Sequence, residues 1–288
     1  MNRKQIKKSK KWICLVLCGL ALAGTALWKI LPDCLDNLSS AAAYEDLRDR
    51  YTDAPEEPAG EQKEDWWLTD VVVRFDALKK KNADIVAWLR SDNPEELEID
   101  YPVLYSGDNT EYLRHDLYGR EHTAGSIFLE GLNQPDFSDH YIIIYGHNMR
   151  DGSMFGSLDK YKEQTFWEKN PYFTLYTENM AYRYQIFACQ NAANGGSVYK
   201  IGYEPGMEYQ NLINSMVENS LIETGIHPDS SQKIMTLSTC TGSGYSTRFA
   251  VHAVCIDARL FRSGKMIIDN FITITLIDRI WKCMIVCR

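Results

Sequence analysis

From residue 99 onward the sequence is a succession of short apolar runs cut by turn residues, and this pattern constrains the fold more than any other feature. Residues 99–104, 126–129, 141–145, 181–189, 233–239 and 248–256 are separated by Gly, Asn, Asp and Pro, and read as strands. The run Tyr141-Ile-Ile-Ile-Tyr145 is almost continuously apolar, as in a central strand covered on both faces. Helical segments are expected between the strands, over 154–161 and 208–219. Upstream, Thr69 or Asp70 can cap a helix. Val72, Phe75 and Leu78, then Ile85, Trp88 and Leu89, fall at helical spacings, which predicts two short helices broken near Asn82. The reading is a mostly β domain with peripheral helices, a barrel in preference to an α+β sandwich. Propensity alone does not separate the two.

The N-terminus carries a different signal. Residues 1–11 hold six Lys and Arg and no acid, and residues 12–28 then run without a charge. A helix over 12–31 would be about 30 Å long, the thickness of a bilayer's hydrocarbon core. Trp12 and Trp28 suit its two interfaces, and the basic head keeps that end in the cytoplasm. The expected organisation is a basic cytoplasmic tail (1–11), a transmembrane signal anchor (12–31), an acidic extracellular tether (32–65), a folded body (66–258) and a tail (259–288). A cleaved signal peptide is the alternative to the anchor. Both put the body outside the cytoplasm. Within the tether, residues 41–51 could be helical. The tail is apolar but holds Asp269, Asp278, Arg279 and Lys282, which disfavours a clean second span.

The net charge is −8, which argues against a nucleic-acid partner, since phosphate binding needs a basic face. Of eight cysteines, Cys14, Cys18, Cys34, Cys283 and Cys287 lie near the two ends, and only Cys189, Cys240 and Cys255 fall in the body. There is no CxxC pair and no spacing suited to zinc. An odd cysteine in an exported body points to a free thiol.

Three segments can carry chemistry. In Tyr145-Gly-His147-Asn, a buried strand delivers a histidine to its rim, and Gly146 permits close approach. In Thr236-Leu-Ser-Thr-Cys240, another strand ends in a thiol before a loop of small residues. Arg248 opens the next strand, where a guanidinium needs a partner or a task. Each alone also fits a structural role: a strand-end histidine, a buried free cysteine, a surface ion pair. Together they make an acyl-transfer set. The thiol becomes a nucleophile once ionised, the imidazole takes and returns its proton, and the cation stabilises a developing oxyanion.

Thr236-Leu-Ser-Thr-Cys240 resembles the TLxTC signature of sortases, and Arg248, eight residues on, matches the sortase arginine. Tyr145-Gly-His-Asn-Met, running on through Asp151-Gly-Ser-Met-Phe-Gly-Ser-Leu to Lys160-Tyr161, is similar to the class B histidine segment. So are Asn82-Ala-Asp-Ile-Val-Ala-Trp-Leu, Ile99-Asp-Tyr-Pro-Val, Asp108-Asn-Thr-Glu-Tyr-Leu and Gly125-Ser-Ile-Phe. The similarity spans residues 71–256, in order. It implies a closed eight-stranded barrel with added class B helices behind one transmembrane helix. It implies an enzyme that cuts a surface-protein sorting signal after threonine. Cys240 would hold the acyl group as a thioester, with His147 as acid/base and Arg248 as stabiliser. Ser238 and Thr239 would line the substrate groove. An amine on a peptidoglycan precursor would resolve the thioester, and no cofactor or metal is implied.

The loop 241–245 is small and uncharged where sortases often carry acids, so no acidic neighbour of Cys240 is assigned a role. The residues leave three other readings open: a pilin-polymerising enzyme using a protein lysine, a hydrolytic cysteine peptidase, and an inactive membrane-tethered binding module.

Overall fold

A computed structural model describes residues 42–53, 67, 71–240 and 246–260, together with Gly24, Thr25 and Trp28. The expected anchor over 12–31 otherwise lies outside the described residues, as does the tail from 261. Among the described residues no helix is long and apolar enough to cross a membrane.

Part of the expected tether is folded onto the body. Residues 42–51 form a helix whose Tyr44 and Leu47 are buried. Tyr44 meets the Tyr101 ring edge-on, 5.3 Å between centroids. The strand that follows, β1 (Thr52–Asp53), pairs with β2 (Val72–Val73) in a short ribbon of its own.

Eight further strands close into a barrel: β3 (Ile85–Ser91), β4 (Asp100–Leu104), β5 (Phe128–Leu129), β6 (Tyr141–Tyr145), β7 (Tyr172–Tyr176), β8 (Met180–Ala193), β9 (Ile234–Cys240) and β10 (Thr247–Leu260), in the order β10-β8-β7-β3-β4-β5-β6-β9. Closure leaves no barrel edge open to pairing with another chain. Two contacts in the ring are parallel, β4 with β5 and β6 with β9, and the rest are antiparallel.

The pleat divides β6, β9 and β10 between two cores. Met235 and Leu237 of β9, Ile142 and Ile144 of β6, and Phe249, Val251 and Ala253 of β10 belong to the main core inside the barrel. Their neighbours Ile234, Tyr141, Ile143, Ala250 and Val254 face outward into a second apolar cluster. That cluster is roofed by helix Met207–Glu218, which buries Tyr209, Leu212, Ile213 and Met216 at i, i+3, i+4, i+7 spacing. Burial on both faces is why 141–145 reads as an unbroken apolar run.

The same double burial corrects the expected helix at Ile85, Trp88 and Leu89. In β3, Ile85, Ala87, Trp88, Leu89 and Ser91 are all buried, so a doubly covered strand mimicked an i, i+3, i+4 pattern. Only the first helix of that pair forms, over Phe75–Lys79. The helix expected over 154–161 is a 3₁₀ helix, Gly156–Lys162.

Candidate active site

The site is built by three adjacent strands. β6 and β9 run parallel with Tyr145 opposite Ser238, and the Gly146 N–H donates to the Ser238 carbonyl at 3.2 Å, carrying the ladder one step further. His147 therefore stands two residues beyond Tyr145 as Cys240 stands two beyond Ser238. On the other side of β9, Arg248 of β10 is the direct cross-strand partner of Cys240. The pairing thus sets the backbones of Arg248 and Cys240 side by side, and His147, just past the end of β6, extends the same row of strand ends on the other side of β9. By alternation Arg248 continues the outward set of Ala250 and Val254, at the start of its strand.

His147 is half-buried, and its Nε2 lies 2.8 Å from the Leu113 carbonyl. A carbonyl only accepts, so Nε2 carries the hydrogen and Nδ1 is the nitrogen left for proton exchange. The His147 carbonyl accepts from the Phe155 N–H at 3.0 Å, fixing the loop beyond it. Gly146 has no room for a side chain: a Cβ there would come 2.5 Å from Ile127 Cδ1 and 2.7 Å from the Phe155 ring. The close approach expected at this glycine is real, and it serves packing.

Arg248 is half-buried. Its Nε donates to Asn194 Oδ1 at 3.5 Å and its guanidinium carbon lies 5.9 Å from the centre of the Tyr145 ring. The Tyr145 hydroxyl donates to Glu130 Oε2 at 2.8 Å. Burial first, and the adjacent Glu130 carboxylate second, push this phenol upward, so it remains a neutral donor. Glu130 Oε1 accepts from Asn109 Nδ2 at 2.6 Å. The Tyr145 ring also stacks with Tyr199, 6.5 Å between centroids.

Neither Ser238 nor Thr239 has exposed surface. Ser238 is outward, beneath Tyr199, whose hydroxyl lies 3.0 Å from its Oγ. Thr239 shares the inward register of Met235 and Leu237, so it does not line an outer groove as expected. A pleated strand can offer only alternate residues to a given face. Its Oγ1 is buried without a hydrogen-bond partner.

Under the row runs a buried polar chain. Tyr141 Oη donates to the Val198 carbonyl at 2.7 Å and lies 3.0 Å from Thr236 Oγ1. Thr236 Oγ1 is 2.8 Å from His252 Nδ1, and His252 Nε2 is 3.0 Å from Gln190 Nε2. Proton counting fixes the directions. With its one proton on Val198, Tyr141 accepts from Thr236; Thr236 accepts from His252 Nδ1–H; and His252 Nε2 accepts from Gln190. The neutral ring is fully satisfied and a second proton has no acceptor. Burial lowers the pKa of His252 from 6.5 to about 3. The unfolded chain alone takes that proton between 6.5 and about 3. The contribution of His252 to stability is therefore whole above 6.5 and shrinks as pH falls, by about 1.4 kcal/mol per pH unit. Urea unfolding of wild type and His252→Gln across that window should differ by this slope. Parallel curves would show that His252 is not held neutral.

The other two thiols of the body are held in the protonated form by burial and are poor nucleophiles near neutral pH. Burial pushes Cys189 up to about 12, and its Sγ donates to the Tyr161 carbonyl at 3.2 Å. Cys255 is pushed up to about 11, again by burial. Near pH 8, iodoacetamide should alkylate either on the order of 10²-fold more slowly than an ordinary exposed thiol. The rate at Cys255 should climb as pH rises toward 11. Peptide mass mapping would read both, and fast labelling of either would refute their assignment as inert. Among the described residues no group of three or more His, Cys, Asp or Glu could hold a metal ion.

The sequence pointed to His147, Cys240 and Arg248, which the fold aligns. It did not point to Tyr145, Glu130 or the Leu113 carbonyl. Tyr145 had a signal, since it stands two residues before His147 on the same strand face. Leu113 had none, because its contribution is a backbone atom.

Residues 95–256 match the model of the sortase domain. The chain is 32% identical over 232 residues to sortase B of Listeria monocytogenes, covering 80% of this chain and 89% of that one. The Staphylococcus aureus sortase B–substrate complex superposes with a TM-score of 0.63 at 25% identity, covering 77% of this chain and 99% of that one. A sortase B complexed with triglycine superposes with a TM-score of 0.59 at 30% identity, covering 64% of this chain and 86% of that one.

Proposed function

The chain belongs to the sortase family, class B, whose members are cysteine transpeptidases, and we propose that Cys240, His147 and Arg248 carry its chemistry on surface-protein sorting signals. The observation that supports this reading is the placement of Arg248, Cys240 and His147 at the neighbouring ends of three adjacent strands, His147 just past the end of β6. The Cys240 thiol gives its proton to His147 Nδ1, and the thiolate attacks the carbonyl carbon of the signal's threonine. The oxyanion forms beside Arg248. The tetrahedral adduct collapses as the leaving amine takes the proton from His147, and the acyl group stays on sulfur as a thioester. An acceptor amine then attacks, yields a proton to His147, and expels the thiolate.

A class B relative has been captured with its substrate and another with triglycine, which supports a peptide donor and an amine acceptor. The acceptor proposed here is an amine of a peptidoglycan precursor. The charge-free run behind a basic head supports anchorage through 12–31, with the catalytic body outside the cell.

The test uses the detergent-solubilised full chain and quenched peptides of NPxTN and xPxTG type, with and without triglycine. Mass spectrometry should find cleavage after threonine, an acyl mass on the Cys240 peptide, and a product joined to triglycine. Cleavage indifferent to the amine would make the protein a hydrolase. An uncut library, with Cys240 no more reactive to a thiol probe than Cys189, would leave a binding module.

A further inference from the structure

The carbonyl that holds His147 is itself held, and the device reaches back to the helix over 42–51. Leu113 lies in the one-turn helix Glu111–Arg114. Its carbonyl oxygen accepts from His147 Nε2 at 2.8 Å. Gly125 packs directly on that peptide: a Cβ at 125 would come 2.7 Å from the Leu113 oxygen, 2.9 Å from the Leu113 carbonyl carbon and 2.5 Å from the Tyr112 oxygen. These are backbone atoms, and Gly125 adopts φ +54°, so the approach is reserved for glycine twice over. The next residue ties the turn down. The Ser126 N–H donates to the Tyr112 carbonyl at 2.9 Å, and Ser126 Oγ donates to the His115 carbonyl at 3.0 Å. Ser126 Oγ accepts in turn from the buried Tyr44 hydroxyl at 3.3 Å, which belongs to the helix over 42–51. On the other flank the Tyr112 hydroxyl donates to Asp84 Oδ2 at 2.6 Å and accepts from Asn82 Nδ2 at 3.0 Å.

We propose that Gly125, Leu113 and Tyr44 are positioning residues for His147: they hold one backbone carbonyl against Nε2, and so hold the imidazole in the tautomer that presents a bare Nδ1 to the thiol. This rests on the reading of His147 as the acid/base. It assigns the helix over 42–51, which falls within the expected tether, a part in catalysis beyond tethering. Tyr44, Ser126, the 112–115 backbone and His147 form one continuous hydrogen-bonded and packed path. A loosened carbonyl would let the ring rotate or change tautomer. A displacement of about 1 Å at a catalytic group can cost on the order of 10²-fold in rate.

The experiment combines nitrogen-15 NMR of the His147 ring with steady-state kinetics on the solubilised full chain, the resonance being identified by its loss in His147→Gln. At a pH where the ring is neutral, wild type should carry its proton on Nε2. Gly125→Ala should lower kcat on the order of 10- to 100-fold with KM little changed, and shift the ring signal toward a mixture of tautomers. Tyr44→Phe removes only a hydroxyl and should lower kcat several-fold with a smaller shift in the same direction. A wild-type ring protonated on Nδ1, or a folded Gly125→Ala with wild-type kcat and ring signal, would overturn the proposal. If Gly125→Ala does not fold, Tyr44→Phe decides: an unchanged kcat and an unchanged ring signal would overturn it. The acid/base reading fails separately, by wild-type turnover in His147→Gln. Loss of turnover there, with Gly125→Ala and Tyr44→Phe silent, would reject the positioning device and leave the acid/base reading standing.

Discussion

Cys240→Ala is expected to abolish both cleavage and transfer, a loss on the order of 10⁶-fold if the whole catalytic set acts as a unit around its nucleophile. No other thiol of the described body can stand in. Cys189 is buried against the Tyr161 carbonyl. Cys255 lies near the far end of β9, where its N–H donates to the Lys233 carbonyl. Seven residues of β9 put that position about 20 Å from Cys240. Position 240 is the last residue of its strand, and its cross-strand pairing with Arg248 is made by backbone, so the substitution should leave the barrel intact. Circular dichroism should overlay wild type while the acyl mass on the 240 peptide disappears. A variant that still forms a covalent intermediate would remove Cys240 from the mechanism.

What the sequence made legible follows from how each feature is encoded. The strands β6, β9 and β10 were readable because runs of five or more apolar or alternating residues end in turn residues, and the three residues proposed to carry the chemistry stand at the termini of those runs. Matching strand ends gave His147, Cys240 and Arg248 without knowing which strands touch. The parallel pairing of β6 with β9 was invisible, since nothing in either run encodes its partner. β3 was misread as helix for a physical reason: a strand buried on both faces has no period of two, so Trp88 and Leu89 beside Ile85 looked like a helical stripe. Strand β7 went unseen, although Tyr172-Phe-Thr-Leu-Tyr176 is aromatic and β-branched, because five residues without clean alternation stand out little beside the long β8. Tyr44 and Leu47 were hidden in acidic, proline-containing text that reads as a spacer; only the tertiary partners Tyr101 and Ser126 reveal their burial. Thr239 was assigned to the groove with Ser238, yet neighbours on a strand cannot share a face.

Arg248→Ala should lower kcat on the order of 10²- to 10³-fold, the cost of losing one preorganised donor to an oxyanion. The guanidinium is well placed for the role proposed for it. Its carbon stands near the face of Tyr145, whose hydroxyl is committed to the buried Glu130, and its Nε reaches Asn194. Tyr145 is in turn fixed between Phe128 and Tyr199, so the ring that seats the cation has little freedom to follow it away. Arg248→Lys should recover only part of the loss. An ammonium keeps the charge but lacks the planar fork and lies less well against an aromatic ring. The diagnostic is which step slows. Alkylation of Cys240 by iodoacetamide passes through no tetrahedral oxyanion, so its rate should change little in Arg248→Ala. Thioester formation from peptide passes through one and should fall with kcat. Equal losses in both would mean that Arg248 governs the ionisation of the thiol. Turnover within a factor of about three of wild type would reduce Arg248 to a structural cation on Tyr145, since a surface contact of that kind is worth under about 1 kcal/mol.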